Sequence, residues 1–172
     1  MQREKRDLYD KNGIKTDKTY YKGDSIPDGY YPMVVMIALE NNEGKFLMQK
    51  RSLSKGGDWG VTGGHPKSGE SCLQGIVTEV KEELGIDISN CDIVEFCSGC
   101  DGKDCYKMFY AKIEQSIDDM TLQQEELIEV MWFSLEELKE MANKQVLNED
   151  QIDFYEKFYK FFKKTKFLSN QN

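Results

Sequence analysis

Between residues 64 and 86 the chain reads GHPKSGESCLQGIVTEVKEELGI, passing from a glycine-broken loop into a helix. No other stretch constrains the fold as tightly. Leu73, Ile76, Val77, Val80 and Leu84 recur at i, i+3, i+4, i+7 and i+11, a single apolar stripe that predicts a helix over 72–84. Ser71 and Gln74 stand at capping-box spacing before it, and Gly85 follows as its stop. A helix with one apolar side must bury that side against something else, and the flanking sequence supplies strands.

Residues 32–40 are β-branched and apolar, and read as a buried strand. The turn Asn41-Asn42-Glu43-Gly44 leads to a second strand over 45–51, with Phe46, Met48 and Lys50 on one side. Residues 52–70 hold six glycines and form a loop. Beyond the helix, 91–97 and 105–113 read as strands around a polar turn at 101–104, and 128–133 as another. Ser134 caps a short helix through Met141, with Glu137 at the capping-box position. A last helix over 149–168 carries Ile152, Tyr155, Phe158, Tyr159 and Phe162 at helical spacing, a stripe suited to the core or to a homodimer interface. At the other end, Asn12-Gly13 between short alternating segments predicts a hairpin packed on the main domain. Strands around a central helix, closed by further helices, make one α/β layered domain: a hairpin extension over 1–31, a core over 32–141 and a C-terminal helix over 142–172.

Composition narrows the function classes. The 172 residues contain 31 acids against 23 bases, for a net charge of −8, which opposes bulk electrostatic binding of nucleic acid. The longest apolar run, Met33 to Leu39, has seven members, far short of a membrane span. The charged start Met1-Gln2-Arg3-Glu4-Lys5-Arg6-Asp7 carries no secretory signal, so a soluble, cytoplasmic protein is expected. Five cysteines, an odd number, argue against a secreted disulfide framework. Cys91, Cys97, Cys100 and Cys105 fall close together. They would bind zinc or act in redox chemistry, or, as the simpler reading, stand as free thiols on two strands and their turn.

On the helix, Glu79, Glu82 and Glu83 converge on one face, roughly 120° from the apolar stripe. Such a triplet is either a solvated helix face or a seat for a cation that relieves its repulsion. Carboxylate oxygens are hard ligands suited to Mg²⁺ or Mn²⁺. Lys50 and Arg51 end a strand facing the glycine loop, where they would hold a phosphate or form a basic surface terminus. Trp59 would stack on a base or pack in the core. His65, the single histidine, reads as a loop-structuring residue.

The same segment resembles the signature of the Nudix hydrolase family, G-x5-E-x7-R-E-U-x-E-E-x-G-U with U aliphatic. It matches at Gly64, Glu70, Glu79, Val80, Glu82, Glu83, Gly85 and Ile86. The six Gly and Glu matches arise by chance on the order of 10⁻⁷ per window. The resemblance spans roughly residues 32–141 and implies an α/β/α sandwich with a mixed sheet and a central catalytic loop–helix, here with the N-terminal hairpin added. It implies Mg²⁺-dependent hydrolysis of a small-molecule diphosphate, such as a nucleoside diphosphate linked to another group. Glu82, Glu83 and the Gly63 carbonyl would be metal ligands, and Glu79 a ligand or the base. Glu79 and Glu83 would thus carry catalysis. Glu126 would add a ligand from a later loop, and Glu70 would support the loop–helix junction. One departure is plain: Thr78 stands where the motif has Arg, whose charge-assisted hydrogen bond a hydroxyl cannot replace in kind.

Two other functions compete. The N-terminal hairpin is similar to that of isopentenyl-diphosphate isomerases, but isomerisation would need a Cys ahead of the His-Pro pair, where this chain has Gly63-Gly64-His65-Pro66, and several histidines. Thr78 alone favours a nucleotide sensor without turnover.

Overall fold

A computed structural model describes residues 3–144 and 146–169, with side chains through Thr165. In chain order the elements are β1 (Lys5–Tyr9), β2 (Lys15–Tyr21), β3 (Met33–Glu40), β4 (Phe46–Arg51), β5 (Trp59–Gly60), β6 (Thr62–Gly64), α1 (Cys72–Leu84), β7 (Val94–Cys100), β8 (Cys105–Lys112), β9 (Leu127–Phe133), α2 (Leu135–Asn143) and α3 (Glu149–Ser169). The loop expected over 52–70 therefore contains two short strands, and β7 begins three residues later than its sequence suggests.

β3 is the pivot of a mixed sheet. It runs parallel to β8 along its whole length, from Met33↔Cys105 to Glu40↔Lys112. Its other edge is shared: β6 pairs antiparallel with Val35 to Ile37, and β4 takes over at Glu40↔Phe46. β4 in turn pairs with β5 and β9, and β7 closes the far edge against β8. The side chains of β3 alternate between two cores. Val35, Ile37 and Leu39 meet Ile76, Val80 and Leu84 of α1, while Met36 and Ala38 join Phe46, Met48 and Phe158 on the α3 side. Burial on both faces is why this strand is apolar throughout, and it makes the domain an α/β/α sandwich.

The aromatic stripe of α3 is spent inside the chain. Phe46 meets Phe158 and Phe162 edge-on, with centroids 5.0 and 5.1 Å apart, and such pairs contribute about 0.5–1.5 kcal/mol each beyond their burial. On α1 the stripe is rotated slightly from its expected line. Leu73 is 47% exposed, and the half-buried Cys72 packs on the core in its place, so the core-facing row steps by four through Cys72, Ile76, Val80 and Leu84.

The cysteines depart from the free-thiol expectation. Cys100 and Cys105 are directly opposed at the end of the β7–β8 ladder, with Cα atoms 4.0 Å apart, and form a disulfide. Cys72, Cys91 and Cys97 are free. Register decides this pairing: Cys97, the other member of the C-x-x-C, faces Met108.

The N-terminal hairpin of β1 and β2 is docked on the loop between β6 and α1. Ser68 donates its N–H to the Lys5 carbonyl (2.8 Å) and its hydroxyl to Asp7 (2.7 Å), and the Gly69 N–H reaches the same carboxylate (2.9 Å). Tyr9 and Tyr31 exchange backbone hydrogen bonds, and Leu8 and Tyr9 are buried. No helix among the described residues is long and apolar enough to cross a membrane.

Candidate active site

A cleft of about 640 Å³ opens where α1, β6, the hairpin, the β7–β8 turn and the start of α3 meet. Glu79, Glu82 and Glu83 enter it from α1, Glu126 from the loop before β9, and Gly63 and Gly64 form its edge. Arg51 also lines it; Lys50 and Trp59 do not. Consecutive strand residues point to opposite faces, so one of Lys50 and Arg51 must turn away. Lys50 is paired with Trp59 across the β4–β5 ladder, its ammonium 5.9 Å from the indole centroid, and Trp59 packs edge-on against Phe133 at 5.4 Å.

The three helix glutamates sit in different surroundings. Glu83 is 9% exposed and accepts a hydrogen bond from Gln49 Nε2 (2.7 Å), whose own Oε1 accepts from Thr62 (2.8 Å). Burial pushes its carboxyl up to about 7 against the opposing effect of the Gln49 hydrogen bond. Glu79 is likewise raised to about 7, first by burial and then by the charges of Glu83 and Glu82. Its carboxylate lies against Gly64, where an added Cβ would sit 2.3 Å from Glu79 Cδ and within 2.6 Å of both oxygens. Glu82 is more exposed and pairs with Lys67, and Glu126 pairs with Lys55 (2.8 Å). His65 also lines the cleft; burial drives its pKa down to about 4, with Arg6 adding to the effect, so the imidazole is uncharged at neutral pH.

The loop is clamped to α1 at two points. Glu70 accepts from the Lys67 N–H (2.7 Å) and from the Thr78 hydroxyl (2.8 Å), so the residue that replaces the motif Arg ties loop to helix. Gly75 packs on Pro66, close enough that a Cβ there would meet the ring at 2.7–2.8 Å. Reasoning from sequence missed Gln49, Thr62, Lys55 and Lys67. Of these only Gln49 leaves a signal: it is a polar residue in a strand whose other inward positions are apolar.

Among the described residues no three His, Cys, Asp or Glu side chains converge on one metal-binding point. Glu82, Glu83 and Glu126 are each held by a protein partner instead. The donor set nevertheless fits a hard divalent cation, since it offers only oxygens, and two of the partners are ammonium groups that a cation would displace. Lys67→Ala is accordingly expected to tighten Mg²⁺ or Mn²⁺ binding by about fivefold in calorimetric titration, the worth of a partly exposed ion pair. Weakened binding would instead make Lys67 a supporting group.

The NUDIX domain profile matches residues 30–158. An uncharacterised Nudix hydrolase of Listeria innocua is 34% identical over 143 residues, covering 80% of this chain and 83% of its own length. Among solved structures, a Deinococcus radiodurans protein superimposes with a TM-score of 0.74 over 89% of this chain and 98% of its own, at 19% identity. A MutT protein from Methanosarcina mazei gives 0.59 at 28% identity, over 76% and 94%. The profile and the Listeria relative carry the assignment, the solved structures agree with it in fold, and the chain belongs to the Nudix hydrolase family.

Proposed function

We propose that the protein hydrolyses a diphosphate linked to another moiety, in a Mg²⁺- or Mn²⁺-dependent reaction. The observation that carries this reading is the gathering of Glu79, Glu82, Glu83 and Glu126 in one open cleft with Arg51 at its edge, Glu83 buried and Glu79 half-buried. A fold does not bury adjacent carboxylates for stability alone, because each costs solvation. The bound cation would neutralise the diphosphate and acidify the attacking water. Glu82, Glu83 and Glu126, with the Gly63 carbonyl, would hold that cation, Glu83 being oriented by Gln49 and Thr62. No protein hydrogen bond reaches the Glu79 carboxylate among the described residues, which leaves it free to take the proton of the attacking water. Arg51 supplies a cation for a substrate phosphate, with no ion-pair partner among the described residues.

Two observations weigh against the competing functions. Thr78 has a defined task on Glu70, which weighs against reading the departure at that position as decay towards a sensor. No Cys lines the cleft and one His does, which disfavours isomerisation. Mass-spectrometric analysis of products from a broad diphosphate panel with Mg²⁺ tests the proposal. Hydrolysed products that vanish on chelation support it, whereas ligand binding without turnover of any member would favour the sensor.

A further inference from the structure

The N-terminal hairpin lies before residue 30, outside the stretch that the NUDIX profile matches, yet Glu4, Arg6 and Lys22 all line the cleft. They are held there rigidly. The Lys5 carbonyl and the Asp7 carboxylate on either side of Arg6 are bonded to Ser68 and Gly69, in the loop that leads into α1, and Arg6 itself forms a β-bridge to Lys67. The Arg6 side chain is only 12% exposed. Its Nε donates to Glu4 (2.6 Å) and Tyr20 is a second hydrogen-bond partner, so the guanidinium is oriented before any ligand arrives.

Lys22 is tied through its backbone to Glu4 (2.9 Å), while its exposed ammonium has no ion-pair partner among the described residues. That is notable in a cleft containing five glutamates, Glu4 among them. No hydrogen bond reaches the imidazole of His65 among the described residues, although it lines the cleft beside these cations. A guanidinium, an ammonium and an imidazole therefore share one wall with the Glu4 carboxylate, which Arg6 already binds, and the hairpin that supplies both cations is tied to the loop running from β6 into α1.

We propose that Arg6, Lys22 and His65 form a second anion subsite, which takes a phosphate of the substrate other than the diphosphate held at the glutamates. The inference rests on the hydrolase reading, since it needs the diphosphate seated at Glu79, Glu82 and Glu83. It narrows the substrate class to a diphosphate bearing a further phosphate, either along the same chain or on the attached moiety. The hairpin is then a specificity element.

The test is calorimetric binding in Mg²⁺ of three probes: an ADP analogue with a methylene bridge, the corresponding ATP analogue with both bridges replaced, and the 3′-phosphorylated form of the first. In the wild type, one of the two phosphate-bearing probes is expected to bind about tenfold more tightly than the ADP analogue, the worth of one or two charge-assisted hydrogen bonds. Which of them gains identifies the position of the extra phosphate. Lys22→Ala, at an exposed position that cannot disturb the core, is expected to remove most of that gain. Arg6→Gln is expected to remove it as well, with Arg6→Lys intermediate, while affinity for the ADP analogue stays within about twofold. Absence of any gain in the wild type, or a gain that survives both Lys22→Ala and Arg6→Gln, overturns the subsite while leaving the hydrolase reading standing. Failure of all three probes where methylenediphosphonate, the bare diphosphate core, still binds in Mg²⁺ overturns the subsite alone, and failure of that core as well overturns both.

Discussion

Glu83→Gln is expected to lower kcat by about a thousandfold or more while making the metal-free protein more stable. The activity loss follows from removing a carboxylate that would hold the cation, and a thousandfold corresponds to about 4 kcal/mol of transition-state stabilisation. The gain in stability follows from burial. Glu83 is 9% exposed and its carboxyl is raised to about 7, so the fold pays to keep it charged at neutral pH. An acid with a raised folded pKa binds its proton more tightly folded than unfolded. Its contribution is therefore fully present below about pH 4.5 and is lost as pH rises through about 7. Glu79, raised to the same range, acts in the same direction. A rise from 4.5 to about 7 is worth about 3 kcal/mol for one carboxyl, so with both groups the wild-type protein without metal should lose at least about 3 kcal/mol between pH 4.5 and pH 7.5, and Mg²⁺ should restore part of it. Gln at position 83 carries no charge, and its carbonyl still accepts from Gln49 Nε2, so thermal denaturation in chelator should show a flatter pH dependence and a higher midpoint near neutrality. A destabilised variant would mean that Glu83 is structural.

Gly64→Ala should be nearly as damaging to activity, by displacement and not by loss of a ligand. The added Cβ would fall 2.3 Å from Glu79 Cδ, inside van der Waals contact, so the carboxylate must move out of the position in which it faces the cleft. Gly64 also pairs with Val35 in the central sheet, which prevents the backbone from yielding instead. We expect a fall in kcat of about a hundredfold or more, because misplacement by about 1 Å has that effect on a catalytic group. Stability should fall by only about 1–3 kcal/mol, the usual cost of overpacking. Steady-state kinetics with thermal denaturation on the same variant separates the two effects. Near wild-type kcat would show that Glu79 does not act from the position described.

Much of the site was legible because it is local. Glu79, Glu82 and Glu83 share a face through helical periodicity alone, and Ser71, Gln74 and Gly85 mark the helix ends that the structure displays. The alternation of β3 between two cores is written in its uninterrupted apolar run. Leu73 misled because the stripe can rotate by one residue without breaking its period, and only contact with the sheet chose Cys72. The disulfide was missed because C-x-x-C draws attention to neighbours in sequence, whereas an antiparallel ladder joins residues by register, and register placed Cys100 opposite Cys105.

The sequence by itself determined the central helix, its acidic face, the loop that precedes it and membership of the family, since each depends on residues within about one strand or one helix of each other. Tertiary structure decided which of Lys50 and Arg51 turns into the cleft, that Gln49 and Thr62 orient Glu83, that Thr78 serves Glu70, and that a hairpin some 60 residues before the glutamates forms one wall of their cleft. The physical reason is that periodicity specifies which way a side chain points relative to its own backbone, while the choice of what it then meets depends on strand register and packing between distant segments.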